Sequence, residues 1–182
     1  MKHTKNILKS LLITVMALSL LAVSCKKDEG GSKPTDPTPK NSEALLTDML
    51  KGLGKLTPGG GDNTVILDFA TMVFDGNGAA TIDNANHTKK ANVYQVVTVL
   101  ENTFTKANFQ SEQIGLNADL TVANTPSTGN KNPLSVDITF IANTGYTFDD
   151  SITKGSAYTY DGSQDPATAK LTLKITPATA WE

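Results

Sequence analysis

Thirteen consecutive residues from Leu11 to Val23 are predominantly apolar and uncharged, and the ten before them carry Lys2, Lys5 and Lys9 without an acid. A membrane span needs roughly 20 apolar residues to cross the hydrocarbon layer. The run is too short for that and has the order of a secretory signal peptide, basic end first and apolar stretch second. A different rhythm starts at Ser42. Leu45, Leu46, Met49, Leu50, Leu53 and Leu56 recur at three- and four-residue spacing, which predicts an amphipathic helix over Ser42 to Leu56. Ser42 can cap it, Glu43 and Asp48 lie early and Lys51 and Lys55 late, as the helix dipole prefers, and Thr57-Pro58-Gly59-Gly60-Gly61 stops it. Gly52 and Gly54 weaken its last turn unless that turn packs. The leucine stripe is expected to cover the core of the domain that follows; a partner-binding or lipid-lying helix is the other reading.

From there the period falls to two. Leu116 to Val122, Leu134 to Ala142 and Leu171 to Thr176 alternate apolar with polar residues, the signature of strands wet on one face. Val65 to Phe74 and Val93 to Leu100 are apolar on both faces and read as more covered strands; a helix over Val93 to Phe104 is disfavoured by its β-branched residues. Turn-forming clusters fall between the runs, at Asp75-Gly76-Asn77-Gly78, Asn84 to Thr88, Asn124 to Pro133, Asn143-Thr144-Gly145, Asp161-Gly162-Ser163 and Gln164-Asp165-Pro166. About seven short strands at this spacing predict a mainly β fold, an antiparallel β-sandwich with one N-terminal amphipathic helix. In its second half, Val136 to Ala142 followed by Gly145-Tyr146-Thr147-Phe148 and the strand at Leu171 faintly resembles the immunoglobulin-like modules of bacterial surface proteins.

Composition sharpens the N-terminal reading. The chain has 182 residues and one cysteine, Cys25, directly after the apolar run in Ala22-Val23-Ser24-Cys25. Small residues before a cysteine at this place resemble the lipobox of bacterial lipoproteins, although Ala22 stands where that family usually has leucine. The resemblance implies cleavage before Cys25, a diacylglyceryl group on its sulfur and anchorage in a membrane. Lys26-Lys27-Asp28-Glu29 after it is similar to the start of surface-exposed lipoproteins of the Bacteroidota. Pro34, Pro37 and Pro39 then fall within a polar stretch suited to an extended tether. The expected organisation is a signal peptide over 1–24, a lipidated cysteine and proline stalk over 25–41, and a helix plus β-sandwich domain over 42–182.

Charge excludes some functions. All 16 basic residues are lysine, against 18 acids, for a net charge of -2. Loss of Lys2, Lys5 and Lys9 with the signal peptide makes the mature chain more acidic still. Without arginine forks or a basic field, a nucleic-acid partner is not expected.

Chemistry has few places to sit. His87 is the one histidine outside the signal peptide, in a polar loop without a Gly-x-Ser-x-Gly elbow anywhere in the chain. Asp149-Asp150 is the most suggestive carboxylate pair, but adjacent strand residues point to opposite faces, and in a turn such residues cap. Asp75-Gly76-Asn77-Gly78 begins like a calcium loop, then places Ala79 and Ala80 where a ligand and a glycine belong, so a hairpin turn is the better reading. No catalytic residue, metal or cofactor is therefore expected. Tyr146, Tyr158, Tyr160 and Trp181 are the candidate ligand-binding residues, with Tyr94 beside them, since their rings pair flat apolar area with a polar handle; Tyr158 and Tyr160 would equally serve as the core face of an edge strand.

These features predict a non-catalytic, lipid-anchored protein of the cell envelope, in the outer membrane and surface-exposed, that binds a glycan or another surface ligand. Two other readings stand beside it. One is a structural or assembly subunit on an outer-membrane or adhesin partner; the other, an outsider, is a carboxylate-based glycan hydrolase.

Overall fold

Two long strands, alternating between buried and part-exposed residues along nearly all of their length, form the centre of the domain. A computed structural model of the chain describes residues 38–58, 66–84, 92–155 and 157–182. The expected signal peptide, Cys25 and His87 lie outside the described residues. The first half of the domain holds β1 (Lys40–Asn41), α1 (Glu43–Lys51), β2 (Lys55–Leu56), β3 (Leu67–Asp68), a 3-10 turn (Phe69–Thr71), β4 (Val73–Phe74), β5 (Ala79–Asn84) and α2 (Val93–Thr103). The second holds β6 (Ile114–Leu116), β7 (Thr121–Asn124), β8 (Leu134–Ala142), β9 (Thr147–Phe148), α3 (Asp150–Thr153), β10 (Thr159–Asp161) and β11 (Thr168–Pro177).

β11 and β8 pair antiparallel, with Leu171 opposite Ile138 and Leu173 opposite Val136. The free edge of β11 is shared: β10 runs antiparallel along Thr168 to Lys170, and β5 runs parallel along Thr172 to Pro177. The far edge of β8 is shared in the same way by β6 and β7, and β4 closes the sheet beyond β5. The result is one seven-stranded mixed sheet. Leu134, Val136, Ile138 and Phe140 of β8 and Leu171, Leu173 and Ile175 of β11 fill one face. On the other, Thr172 donates to Asp137 at 2.6 Å and Lys170 reaches the same carboxylate at 3.3 Å.

The apolar face packs against helices. Leu46 and Leu50 of α1, Val93, Val96 and Leu100 of α2, and Phe69 and Phe104 belong to the same buried cluster as the sheet residues. The protein is thus mainly β, but the antiparallel, immunoglobulin-like sandwich expected from strand rhythm is not what the described residues form. β5 and β11 are parallel, which requires a crossover, and the chain between them supplies α2 together with six further strands or helical turns.

The expected strand over Val93 to Leu100 is a helix. Val93, Val96 and Leu100 share one buried face, and Asn92 caps it by accepting from the amides of Tyr94 and Gln95 at 3.0 and 3.2 Å. β-Branched residues cost a helix a few tenths of a kcal/mol each, whereas burying one such side chain yields roughly 1.5–3 kcal/mol. The run from Leu116 to Val122 is also not continuous. The Leu120 amide turns away to the Phe104 carbonyl at 3.0 Å and Asp119 accepts from the Lys106 amide at 2.8 Å, so β6 and β7 are separate strands. Val65 lies outside the described residues, and the rest of its expected strand is broken by the 3-10 turn, which Asp68 caps through the Ala70 amide.

Two expectations are met closely. The start of α1 at the Ser42 cap, whose hydroxyl accepts from the Leu45 amide, is one, and the hairpin turn of Asp75 to Gly78 joining antiparallel β4 and β5 is the other. The helix does not reach Leu56 as expected: it ends at Lys51 with Gly52 as its C-cap, and Lys55 and Leu56 pair with β3 as a strand. The domain also extends further upstream than residue 42. Lys40 and Asn41, read from sequence as the end of the stalk, pair in parallel with Thr147 and Phe148. Among the described residues, no helix is long and apolar enough to cross a membrane.

Candidate ligand-binding cleft

Three segments border one shallow cleft of about 420 Å³: the turn between β4 and β5 and, much later in the chain, the end of α3 and the β10 segment that follows it. In the turn, Gly76 and Gly78 adopt φ of +75° and +72°, and the Asp75 carboxylate accepts from the Asn77 amide at 2.8 Å, which presents Asn77 at the rim. Gly78 passes directly against the Thr159 side chain, too close for any Cβ. This approach brings the hairpin and β10 together.

The second wall is α3. Asp149 caps it, accepting from the Ser151 amide at 2.9 Å and hydroxyl at 2.5 Å. Asp150 pairs with Lys154 at 2.6 Å, and the Lys154 ammonium, chiefly by its hydrogen bond, holds the Asp150 carboxyl below its ordinary value. Thr153 and Lys154 face the cleft there. Both carboxylates of the suggestive Asp149-Asp150 pair are therefore engaged, one as a cap and one as an ion pair.

The third wall carries Tyr158, Thr159 and Tyr160. Tyr160 is half-buried and meets the Phe148 ring edge-on at 6.2 Å. Gly162 lies against its ring so tightly that a Cβ would stand 2.9 Å from it. Tyr158 is only 1% exposed, with its ring between Phe74 and Phe140. Its hydroxyl has no hydrogen-bond partner among the described residues, and burial, opposed by the neighbouring Thr47 hydroxyl, pushes the phenol well above its ordinary value.

No family model, curated protein or solved structure matches the chain. Its site is therefore defined by its own geometry.

Of the four aromatic candidates, the fold brings Tyr158 and Tyr160 to the cleft and places the other two elsewhere. Tyr146 donates to Glu112 at 3.1 Å, and this hydrogen bond is the main reason its phenol is held above its ordinary value. Trp181 is 2% exposed, and its indole nitrogen donates to the Asn132 carbonyl at 2.8 Å. Tyr94 is 74% exposed on the outer face of α2, where it borders a second depression of about 380 Å³ with Gln95, Thr98, Val99 and Asn102. Asn77, Thr153, Lys154 and Thr159 were not singled out from sequence. Thr153, Lys154 and Thr159 are close in sequence, and Asn77 joins them because β10 and β5 share an edge of β11, a pairing no local motif marks.

The cleft offers one amide, two threonine hydroxyls, an ammonium already paired with a carboxylate, and the ring of Tyr160. That set can hydrogen-bond a neutral polyhydroxylated ligand and place a flat apolar surface against it. No group of three or more His, Cys, Asp or Glu that could hold a metal ion occurs among the described residues.

Proposed function

We propose that this is a lipid-anchored protein of the cell envelope, held in the outer membrane by acylated Cys25 and exposed at the surface, that binds a glycan without transforming it. The observation that supports this best is the cleft itself: a nearly neutral, hydroxyl- and amide-bearing depression beside Tyr160. The engagement of Asp149 and Asp150 in capping and pairing weighs against the hydrolase reading. Two long acyl chains on Cys25, at roughly 0.8 kcal/mol per buried methylene, would hold the chain to a bilayer.

A glycan array probed with the purified protein tests the binding site. Binding is expected to be lost in Tyr160→Ala and weakened in Thr159→Ala, each compared with wild type at a temperature below its own melting midpoint, and unaffected in Tyr146→Ala. Binding that survives Tyr160→Ala refutes the cleft. For the anchor, mass spectrometry of the membrane fraction should show an acylated N-terminal peptide beginning at Cys25, and Cys25→Ala should release the protein from membranes.

A second reading rests on a separate observation. Val73 is 65% exposed on β4, the strand at the sheet's edge, as an apolar contact in an assembly subunit would be. Cross-linking that captures one stoichiometric envelope partner, lost in Val73→Lys, would favour it.

A further inference from the structure

The tether enters the domain through an unusual join. Lys40 and Asn41 add in parallel to β9, with the Thr147 amide donating to the Pro39 carbonyl at 3.1 Å and the Asp149 amide to the Asn41 carbonyl at 3.0 Å. Asn41 is fully buried, and its side-chain amide donates to the Gln113 carbonyl at 3.0 Å. One step on, the Glu43 amide donates to the Ser151 hydroxyl at 2.9 Å. Residues 39–43 thus grip residues 147–151 at three points along their length.

The gripped segment is the one that shapes the cleft. β9 runs directly into the Asp149 cap and α3, whose end provides Thr153 and Lys154. Phe148 of β9 holds the ring of Tyr160 edge-on. One wall and the aromatic ring of the cleft are therefore both supported by the strand to which the tether is clasped.

We infer that the tether strand Lys40–Asn41 is a clasp that positions the cleft, so that displacing it, as a pull on the stalk would, loosens the site. This builds on the reading of the cleft as a ligand site and of residues 25–41 as a lipidated stalk, whose last two residues form the strand. Linkage makes the coupling reciprocal: whatever tightens the cleft wall tightens the clasp. Asn41 and Ser151 act here as positioning residues, remote from any ligand.

Amide hydrogen exchange on the full chain in detergent, with no ligand added, tests the clasp. Asn41→Ala is expected to speed exchange about tenfold in residues 150–155 and 158–161 while residues 134–142 keep wild-type rates. Glu43→Pro, which takes away the amide donated to Ser151 at a first helical position that tolerates proline and leaves the Ser151–Asp149 bond in place, is expected to act in the same places, and it decides the matter alone if Asn41→Ala does not fold. Wild-type exchange across 150–161, or acceleration spread equally into 134–142, overturns the inference. Because no glycan enters the measurement, a failure of glycan binding and a failure of the clasp are read separately.

Discussion

Trp181 donates its indole N–H to the carbonyl of Asn132, 49 residues earlier in the chain, at 2.8 Å. The backbone repeats the link: the Trp181 amide donates to Asn130 and the Gly129 amide to the Trp181 carbonyl, both at 2.9 Å. The C-terminal tail after β11 is thereby latched onto the loop that leads into β8, and Trp181 is a part of the core. Trp181→Ala is expected to cost about 3–5 kcal/mol, seen as a lower midpoint in urea. Trp181→Phe keeps most of the buried area but leaves the Asn132 carbonyl without its donor, for a loss of about 1–3 kcal/mol. A wild-type midpoint in Trp181→Ala would show that the latch contributes nothing.

Tyr158 supplies a prediction of opposite sign. Its hydroxyl is buried without a hydrogen-bond partner, so removing it relieves a desolvation penalty. Tyr158→Phe is expected to match or exceed wild-type stability by about 1 kcal/mol, whereas Tyr158→Ala costs about 3–5 kcal/mol through the cavity it leaves. A Tyr158→Phe protein that melts well below wild type would reveal a bond to this hydroxyl.

The same phenol sets a pH dependence. Its folded pKa lies above the ordinary 10.0, so the group stays neutral in the fold while the unfolded chain ionises. Its contribution is complete below about pH 10 and is lost as pH rises beyond it, with a slope approaching roughly 1.4 kcal/mol per pH unit. Denaturant titrations between pH 9 and 11 should show this component in wild type and not in Tyr158→Phe. Equal slopes in the two proteins would contradict it.

Two glycines in one turn should respond differently to the same change. Gly76 and Gly78 both have positive φ, but a Cβ at Gly76 meets nothing within 4 Å, while one at Gly78 collides with the Thr159 side chain. Gly76→Ala is expected to cost about 1–2 kcal/mol, the conformational penalty alone. Gly78→Ala adds the collision, and Thr159→Ala should recover part of the added loss in a double-mutant cycle, because it removes the hydroxyl oxygen nearest the new Cβ. Additive effects in that cycle would show that the turn and β10 are not in contact.

The Asp150–Lys154 pair is exposed, so its contribution to stability should be small and should fade with salt. Its clearer readout is the titration of Asp150, whose carboxyl the Lys154 ammonium holds low. A depressed folded pKa means that any stabilisation is present above the ordinary carboxylate range and lost as pH falls through the folded value. In Lys154→Ala, NMR titration should show the Asp150 pKa rising toward its ordinary range; an unchanged value would mean that another group sets it.

Local pattern carried much of this fold. The alternation of Leu134 to Ala142 is β8 end for end, Ser42 caps α1, and Asp75 to Gly78 turns a hairpin, because each depends on residues within a few positions of one another. At α2 propensity and periodicity disagree: the five valines and threonines of Val93 to Leu100 suggest a strand, while Val93, Val96, Leu100 and the Asn92 cap specify a helix once a core exists to bury them. The split between β6 and β7 depends on the distant Phe104 carbonyl, which no local pattern reveals.

The candidate site was half legible. Tyr158 and Tyr160 could be picked out as aromatics, but that one belongs to the core and the other to a cleft follows from the packing of Phe74, Phe140 and Phe148 around them. By itself the sequence determined the long alternating strands β8 and β11, the capped start of the first helix and the hairpin turn, all of them properties of neighbouring residues. Only the tertiary structure decided that β5 lies parallel to β11, that α1 and α2 share one buried cluster with the sheet, and that Asn77 meets Lys154 and Thr159. Those outcomes turn on which distant apolar surfaces exclude water together, a condition written over the whole chain and at no single place in it.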